Sequence, residues 1–320
     1  MPCVFVTGWI PEDCVARLRA IGDVEVWGHD EPPTESDLVA VEADVLVSLL
    51  TAPITDAVLA GRSLVAQVAV GVDNIDLAAA NRRGVPVTHT PGVLTDATAD
   101  LTLALLLATT RRLVEADRYV RGGHWERWRL DLLCGLELSG ATLGIVGFGR
   151  IGEAVAHRAR SFGMRILATG PRAIAPERLA RVDARQVSLN ELLGESDVVS
   201  LHAPLTAESR HLLDADALRA MKRGAYLLNT ARGPLIDEDA LADALESGHL
   251  AGAGLDVHER EPAVHPRLAP RRDVVLLPHI GSATTSTRYR MADLAVESVE
   301  SWASGSALPR LVAGWPAEPA

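Results

Sequence analysis

Three stretches of the sequence carry side chains that could act together on a small acidic substrate: NTARGPLID (229–237), GLDVHEREP (254–262) and PHIGS (278–282). Together they supply an arginine, a carboxylate and a histidine. Reduction of a 2-keto acid by hydride transfer needs such a set. His279 would protonate the developing alkoxide, because the ordinary pKa of histidine lies near neutrality. A neighbouring carboxylate would raise that pKa and orient the ring. Arg232 would hold the substrate carboxylate and keto oxygen through its planar fork.

Each of these three groups also has a purely structural interpretation. A histidine after a strand often only completes the local packing, and an arginine before Gly-Pro often only fastens a loop. Glu-Pro is a common loop dipeptide. The catalytic interpretation is favoured because the three groups follow successive strands, and because a nucleotide-binding turn precedes them.

That turn lies in LGIVGFGRIG, where Gly147, Gly149 and Gly152 have GxGxxG spacing. The first glycine permits the tight turn, the second lets backbone N–H groups approach a pyrophosphate, and the third lets the helix pack close to the strand. An apolar strand precedes the motif and the helix-like IGEAVAHRARSF follows it, as dinucleotide binding requires. A tight strand-to-helix turn without a ligand is the alternative.

The segment LATGPR (167–172) decides which dinucleotide is favoured. The acid that binds the ribose 2′-hydroxyl of NAD is expected about 20 residues after the first glycine. This chain has no acid there, and the next one is Glu177. A carboxylate would repel a 2′-phosphate, whereas Arg172 and the hydroxyl of Thr169, around Gly170, would accept one. NADP is therefore favoured, and NAD remains the alternative if Arg172 is only solvated.

The elements that position these groups alternate between short β-rich runs and amphipathic segments, which is typical of βαβ units and a parallel sheet. One series runs from CVFVTG (3–8) to VPVTHTPG (85–92), and a second begins at ATLGIVGFGRIG (141–152). The pattern predicts an α/β protein with two domains. A single long helix is expected from about Thr98 to Val120.

An arm, RGGHWERWRLDLLCG, follows that helix and carries Trp125 and Trp128. Both tryptophans could be core residues, or, on an exposed arm, part of a subunit interface.

Composition excludes several function classes. The net charge of −11 disfavours a nucleic-acid binder, and Lys222 is the only lysine, so no Walker A motif exists. HExxH and CxxC are absent too, and we expect no metal site. Three scattered cysteines, the lack of a signal-peptide pattern and the short apolar segments predict a cytoplasmic protein without a membrane partner.

Seven motifs in one order resemble those of the D-2-hydroxyacid dehydrogenases over nearly the whole chain. They are VGVDNID (70–76), TDATADLTLALLLATTRR (95–112), TLGIVGFGRIG, HAPLT (202–206), NTARGPLID, GLDV and PHIGSAT (278–284). The resemblance implies that Arg232 is the substrate arginine, that Glu261 rather than Glu259 pairs with the histidine, and that His279 is the proton donor. The choice of Glu261 follows from its position directly before a proline.

The resemblance also implies the remaining ligand contacts. Backbone N–H groups at Val70 and Gly71 would bind the substrate carboxylate, and Leu50 would line the substrate. The expected nucleotide contacts are Thr98, Gly147, Gly149, Arg150, Ile151, Gly152, Thr169, Gly170, Arg172, His202, Ala203, Pro204, Thr206, Thr230, Ala231, Arg232, Asp256, His279 and Gly281.

The expected architecture is two doubly wound parallel-sheet domains, with a Rossmann-type nucleotide domain (98–282) inserted into a flavodoxin-like substrate domain (1–97 and 283–320). A homodimer through the nucleotide domain and its arm is implied. Within the family the chain most resembles glyoxylate/hydroxypyruvate reductases, because SLLT (48–51) lacks an arginine and LATGPR lacks an acid. An NADH-linked D-lactate-like or phosphoglycerate-like dehydrogenase and a non-catalytic dinucleotide sensor are the alternatives.

Overall fold

The computed structural model describes residues 1–312, and the Pro-rich end that the sequence assigns to the substrate domain lies outside them. The chain forms two compact units. The first comprises Met1–Leu94 and the segment from Ala283, and the second comprises Thr95–Ser282. Sequence analysis places the first boundary three residues later, at 98 rather than 95. No helix of the described residues is long and apolar enough to cross a membrane.

The first unit, as far as residue 312, contains a five-stranded parallel sheet in the order β2-β1-β3-β4-β5. This is the flavodoxin-like order. Its elements are β1 (Cys3–Val6), α1 (Glu12–Arg19), β2 (Asp23–Val26), α2 (Glu35–Ala40), β3 (Val45–Ser48), α3 (Asp56–Leu59), β4 (Leu64–Gln67), α4 (Leu77–Arg83), β5 (Val87–Thr88) and, after the second unit, α12 (Thr285–Ala303).

The second unit begins with α5 (Thr95–Thr110) and α6 (Leu113–Arg121). Its other elements are β6 (Thr142–Val146), α7 (Arg150–Arg160), β7 (Arg165–Thr169), α8 (Pro176–Arg181), β8 (Ala184–Gln186), α9 (Leu189–Glu195), β9 (Val198–Leu201), α10 (Ala215–Ala220), β10 (Tyr226–Asn229), a 3-10 turn (Gly233–Leu235), α11 (Glu238–Glu246), β11 (Gly252–Leu255) and β12 (Val274–Leu276).

The seven strands of this second unit are parallel and have the order β12-β11-β10-β9-β6-β7-β8. This is the Rossmann order with one strand added at the edge, and the order reverses between β6 and β9. Apolar clusters cover both faces of each sheet. Strands buried on both faces need continuous apolar runs such as VLVS and TLGIV, and this need explains their sequences. The predicted fold class is confirmed.

The prediction of a single helix from about Thr98 to Val120 is wrong. α5 ends at Thr110, and α6 begins at Leu113 after Arg112, whose φ is 52°. The carbonyl of Thr110, one of those left without a helical donor at the end of α5, accepts the N–H of Leu136 at 3.0 Å. α5 is largely buried whereas α6 has no buried residue. The stretch that was predicted as one helix therefore contains two helices in different environments.

The arm after α6 is exposed. Trp125 and Trp128 are 58% and 75% exposed, and Leu130 is 83% exposed. Of the two interpretations of these tryptophans, core residue or exposed arm, the structure supports the exposed arm. Several large exposed apolar side chains within one short segment are typical of contact surfaces.

Candidate active site

The side chains singled out in the second unit lie where its parallel strands end. Thr230 and Arg232 follow β10, Asp256 follows β11, and His279 follows β12. Ligands of open α/β sheets bind outside the carboxyl ends of the strands. The strand register therefore brings together at one sheet edge residues that are up to about fifty positions apart in sequence.

A histidine and a glutamate are paired at this edge. Nδ1 of His279 donates to Oε2 of Glu261 at 2.8 Å. Since an ionised carboxylate can only accept, Nδ1 carries a proton and the pairing fixes the orientation of the ring. Nε2 of His279 makes no hydrogen bond to any residue between 1 and 312, and the side chain is 31% exposed. The ring can therefore present Nε2 to a substrate.

The Glu261 carboxylate is itself held from both sides. Its other oxygen, Oε1, accepts the backbone N–H of His258 at 3.0 Å. Burial alone would raise the pKa of this carboxyl, but the hydrogen bonds from His279 and the backbone and the nearby charges outweigh burial, and the net shift is downward. The carboxylate thus stays ionised and able to stabilise a protonated imidazole. Glu259 does not contact His279 in this way; its carboxylate accepts from His211 at 2.7 Å.

Asp256 fixes the backbone that carries the histidine. The carbonyl of Asp256 accepts the N–H of His279 at 2.7 Å, and its Oδ1 accepts the N–H of Ile280, also at 2.7 Å. Burial raises the pKa of the Asp256 carboxyl, with the N–H of Ile280 acting in the opposite direction. His279 holds a positive φ of 55°. Such backbone persists only where surrounding contacts enforce it, and it is common at functional sites.

The loop that carries Arg232 is fixed by Asn229 at the end of β10. Nδ2 of this buried asparagine donates to the carbonyl of Arg232 at 2.8 Å, and its Oδ1 accepts the N–H of Ala231 at 3.0 Å. One guanidinium nitrogen of Arg232 donates to the carbonyl of Ala231 at 2.6 Å. A short side chain thus sets the direction in which the arginine leaves the sheet edge.

The glycine turn has the geometry that a pyrophosphate requires. Gly147 has a φ of 94°, and a Cβ there would lie 2.6 Å from the backbone nitrogen of Ala203. A Cβ on Gly152 would lie 2.3 Å from the carbonyl oxygen of Gly147, whereas one on Gly149 would meet nothing within 4 Å. α7 begins after Gly149 with Arg150 and no side chain caps it. Its first N–H groups, including that of Ile151, are therefore available to an anion.

A buried carboxylate oxygen that lacks a partner within residues 1–312 lies after β11, at the carboxyl edge of the sheet that also carries the glycine turn. Oδ2 of Asp256 is buried and has no hydrogen-bond partner among the described residues. A Cβ on Gly281 would lie 3.2 Å from this oxygen and 3.5 Å from Thr98, so the glycine keeps that space open. Buried oxygens are nearly always paired, and an amide donor of a ligand would satisfy this one. Thr102 connects Thr98 with Thr230: its hydroxyl donates to the carbonyl of Thr98 at 2.8 Å and is 2.9 Å from the hydroxyl of Thr230. These residues fit a nicotinamide carboxamide.

The turn after β7 is open and lacks a carboxylate. Thr169 is buried, a Cβ on Gly170 would meet nothing within 4 Å, and the Arg172 side chain is exposed. Gln186 fixes this turn by donating to the carbonyl of Arg172 and accepting the N–H of Ile174. The turn is therefore open at Gly170, and an exposed arginine follows two residues later.

The segment from His202 to Thr206 follows β9 and packs against the glycine turn at Gly147. Burial lowers the pKa of His202 to about 4, so its ring is neutral near pH 7. The ring is 2.9 Å from the hydroxyl of Ser200. Ser209 fastens the rest of the loop by donating to the carbonyl of Pro204 and accepting the N–H of Thr206, both at 2.8 Å. A neutral ring beside the turn suits the adenosine side of a dinucleotide.

Sequence reasoning missed three residues that hold this site. Besides Asn229, Glu238 at the start of α11 is buried and accepts the N–H of Glu259 at 3.0 Å. Arg178 donates to the carbonyl of Phe148 at 2.7 Å and pairs with Glu153, which ties α8 to the glycine turn. The sequence carries only a weak signal for them, because each acts through a backbone group that only the folded chain places beside it.

The first unit carries the other predicted substrate residues. Val70 and Gly71 follow β4, Leu50 follows β3, and all three are half-exposed at the carboxyl edge of their own sheet. Between residues 1 and 312, no group of three or more His, Cys, Asp or Glu side chains is arranged to hold a metal ion.

Two doubly wound sheets, a glycine turn before an uncapped helix, and a histidine–glutamate pair at the same edge define an NAD(P)-dependent dehydrogenase. Comparison with known proteins agrees. Residues 103–281 match the model of the D-isomer specific 2-hydroxyacid dehydrogenase, NAD binding domain. The chain belongs to the D-isomer specific 2-hydroxyacid dehydrogenase family.

Individual relatives match along nearly their full length. The glyoxylate reductase of Thermococcus litoralis is 45% identical, with 97% of this chain and 96% of the relative covered. The crystal structure of the TT0316 protein from Thermus thermophilus is 48% identical, with a TM-score of 0.89 and coverage of 97% and 99%. The NADPH-dependent glyoxylate/hydroxypyruvate reductase of Sinorhizobium meliloti, solved with NADP and malonate, is 33% identical, with a TM-score of 0.86 and coverage of 98% of each chain.

Proposed function

We propose that the protein is an NADPH-preferring reductase of small 2-keto acids, chiefly glyoxylate and hydroxypyruvate. The products are the corresponding 2-hydroxy acids, of D configuration where they are chiral. The observation that carries the proposal is the 2.8 Å hydrogen bond between His279 and Glu261, in the same unit as the glycine turn. The names of the relatives from Thermococcus and Sinorhizobium support this substrate class.

In this proposal the chain's own residues bind the keto acid and move one proton. When bound, the dinucleotide supplies the hydride. Nε2 of His279 gives its proton to the keto oxygen as charge develops there, and Glu261 stabilises the imidazolium and holds its ring. Arg232 binds the substrate carboxylate and stabilises the growing charge. The N–H groups of Val70 and Gly71 bind the same carboxylate, and Leu50 lines the substrate.

The preference for NADPH is proposed from the turn after β7. The open space at Gly170, the hydroxyl of Thr169 and the exposed Arg172 suit a 2′-phosphate, and no acid opposes it at this position. The relative from Sinorhizobium that was solved with NADP supports this reading. The other nucleotide contacts are proposed as the sequence assigns them, with Asp256 and Thr98 at the nicotinamide.

We also propose a homodimer in the cytoplasm. The exposed tryptophans of the arm, Trp125 and Trp128, support an interface between two copies. Three free cysteines, of which Cys134 is exposed, support a reducing compartment.

The test is the loss of nicotinamide absorbance with glyoxylate and hydroxypyruvate, with NADPH and NADH in parallel, beside pyruvate and a phosphorylated keto acid. We expect the two small acids to be preferred and NADPH to be favoured several-fold or more in kcat/KM. A preference for NADH would remove the cofactor proposal alone. A preference for pyruvate or the phosphorylated acid would replace the substrate proposal with the NADH-linked alternatives. Tight dinucleotide binding without turnover of any acid would indicate a sensor.

A further inference from the structure

The loop that follows β4 presents two adjacent backbone donors that lack acceptors. The N–H groups of Val70 and Gly71 make no hydrogen bond to any residue from 1 to 312, and both residues are half-exposed. Backbone donors nearly always have a partner, which is a protein group, water or a ligand. Two consecutive N–H groups without a protein acceptor can together bind an anion.

The carbonyl groups of the same peptide units are fixed by donors from within the first unit. The carbonyl of Ala69 accepts the N–H of Thr90 at 2.9 Å, and the carbonyl of Val70 accepts from Nδ1 of His89, also at 2.9 Å. A carbonyl can only accept, so Nδ1 of His89 carries a proton.

These peptide bonds are trans, since the only cis bond among the described residues is Glu261–Pro262. In a trans peptide the N–H is directed opposite to the C=O of the same unit. The N–H of Val70 is therefore directed away from Thr90, and that of Gly71 away from His89. Fixing the carbonyls thus fixes the direction of both donors.

A buried glutamine holds the next carbonyl. Nε2 of Gln67 donates to the carbonyl of Gly71 at 3.3 Å and to Oδ1 of Asn74 at 2.8 Å, and Nδ2 of Asn74 donates to the carbonyl of Ala52 at 2.8 Å. Oε1 of Gln67 is buried without a partner among the described residues. An unpaired buried oxygen destabilises the fold. Packing alone therefore does not explain why residue 67 is a glutamine. The two hydrogen bonds that its amide donates, to Gly71 and Asn74, do explain it.

We infer that His89 and Gln67 are positioning residues, which hold the loop at Val70 and Gly71 so that both N–H groups bind the carboxylate of the substrate. The inference rests on the proposed function, because it takes the substrate to be a small carboxylate. His89 acts through a backbone carbonyl and contacts no reacting atom. Its contribution is to affinity for the acid and not to proton transfer.

The first experiment compares two substitutions of His89 in the full chain. His89→Phe removes the donor, whereas His89→Asn places an amide nitrogen where Nδ1 stood. We expect His89→Phe and Gln67→Met each to raise KM for glyoxylate about tenfold, with KM for NADPH and kcat changed less than about threefold. His89→Asn should restore KM to within about threefold of the parent. The matched control is His29→Phe, which changes a histidine of the same unit whose ring packs at a tilt against Trp27.

Two outcomes of this experiment would overturn the inference. One is an unchanged KM for glyoxylate in His89→Phe. The other is a parallel change in kcat, in KM for NADPH and in melting temperature that His89→Asn does not reverse, since this would indicate a general structural role.

A second measurement decides the inference even if the proposed function fails. Oxalate is titrated into the parent protein and into His89→Phe, and the backbone amide resonances of Val70 and Gly71 are followed by NMR. We expect downfield shifts of both amide protons in the parent and about tenfold weaker binding in the variant. Parent amides that do not respond to oxalate would contradict the inference. A parent that binds oxalate but reduces neither keto acid would refute only the proposed function.

Discussion

His279 holds a left-handed backbone conformation, with a φ of 55°, at the position from which it would donate its proton. Histidine is one of the side chains enriched in this region, which favours it there over β-branched residues. The conformation lets the backbone N–H reach Asp256 while the ring reaches Glu261. His279 thus connects the ends of β11 and β12. Its hydrogen bonds to Asp256 and Glu261 hold the backbone in this unfavourable conformation.

A single added carboxylate should change the choice of dinucleotide. In Gly170→Asp the new side chain has room, since a Cβ at this position meets nothing within 4 Å. It would repel a 2′-phosphate and could accept from a ribose hydroxyl. We expect kcat/KM for NADPH to fall at least about tenfold while that for NADH is kept or rises.

The matched control for this variant is Gly28→Asp, which adds the same charge at another open glycine, in the first unit. Steady-state kinetics with both dinucleotides and hydroxypyruvate measures the effect. An unaltered NADPH preference in Gly170→Asp would show that this turn does not contact the 2′-phosphate.

Residues with a chemical signature were accessible from the sequence, and those that act through backbone groups were not. The Glu-Pro motif selects Glu261 over Glu259, and the structure pairs Glu261 with His279. Asn229 and Glu238 lie within or beside predicted motifs, but their partners are backbone atoms of other loops. Hydrogen-bond partners of this kind depend on tertiary placement, which no local pattern encodes.

At the scale of elements, the start of α11 supports the loop after β11. Glu238 is the first residue of this helix, and it accepts the N–H of Glu259, two residues from Glu261. Burial raises the pKa of the Glu238 carboxyl. For an acid with a raised pKa, the protonated form favours folding. This contribution is present below the unfolded-state pKa and is lost as pH rises through the folded-state pKa.

Removal of this buried charge should therefore stabilise the protein at alkaline pH. Glu238→Gln keeps the oxygen that accepts from Glu259 and cannot ionise. We expect it to be more stable than the parent at about pH 8, with the difference vanishing at about pH 3, where the parent carboxyl is protonated in both states. Chemical denaturation across this range measures it. Equal stability of parent and variant at every pH would show that Glu238 carries no charge penalty.

Two glycines of the GxGxxG motif, Gly149 before α7 and Gly152 in its first turn, should respond differently to alanine. A Cβ at Gly149 meets no atom within 4 Å, whereas one at Gly152 would lie 2.3 Å from a backbone oxygen. Gly149→Ala should leave the melting temperature nearly unchanged and raise KM for NADPH about tenfold or more, because the methyl group occupies the space of the pyrophosphate. Gly152→Ala should lower both stability and cofactor affinity.

Thermal melts and cofactor KM values of the two alanine variants provide the comparison. If Gly149→Ala binds NADPH as the parent does, the pyrophosphate does not pass this glycine.

Element boundaries were less accessible to sequence reasoning than element types. The alternation of apolar and amphipathic runs predicted the parallel sheets correctly. It did not predict the break between α5 and α6 at Arg112, because Thr95–Val120 has no proline or glycine. The carbonyl at the end of α5 is instead paired with Leu136, which is distant in sequence. The short edge strand β8 could not be predicted either, since three residues give too little periodicity.

At the scale of the whole molecule, two sheets of different order each carry predicted site residues in loops after the carboxyl ends of their strands. In the five-stranded sheet, the loop after β4 carries Val70 and Gly71. In the seven-stranded sheet, the loops after β10, β11 and β12 carry Arg232, Asp256 and His279. In the proposed function one unit recognises the substrate carboxylate and the other supplies the cofactor site and the proton. This division explains why the residues concerned are spread over most of the chain.

The arm should join two copies of the chain. Trp128 is 75% exposed, and the exposed Trp125 and Leu130 are close to it in sequence. We expect the parent to have twice the mass of one chain in light scattering, and Trp128→Glu to dissociate at micromolar concentration because it places a charge in an apolar contact. Trp9→Glu is the control, since Trp9 is a 69% exposed aromatic of the first unit. A monomeric parent, or a dimer that Trp128→Glu leaves intact, would contradict an interface through the arm.

The measurement that tests the central claim most directly is the turnover of hydroxypyruvate by His279→Ala with NADPH, beside NADPH binding measured by fluorescence. Loss of the proton donor should lower kcat by about a hundredfold to ten-thousandfold, while the Kd for NADPH changes less than about threefold. That result would place His279 at the reacting keto group. Turnover close to that of the parent would contradict the account, because the pair that His279 forms with Glu261 would then serve only the fold.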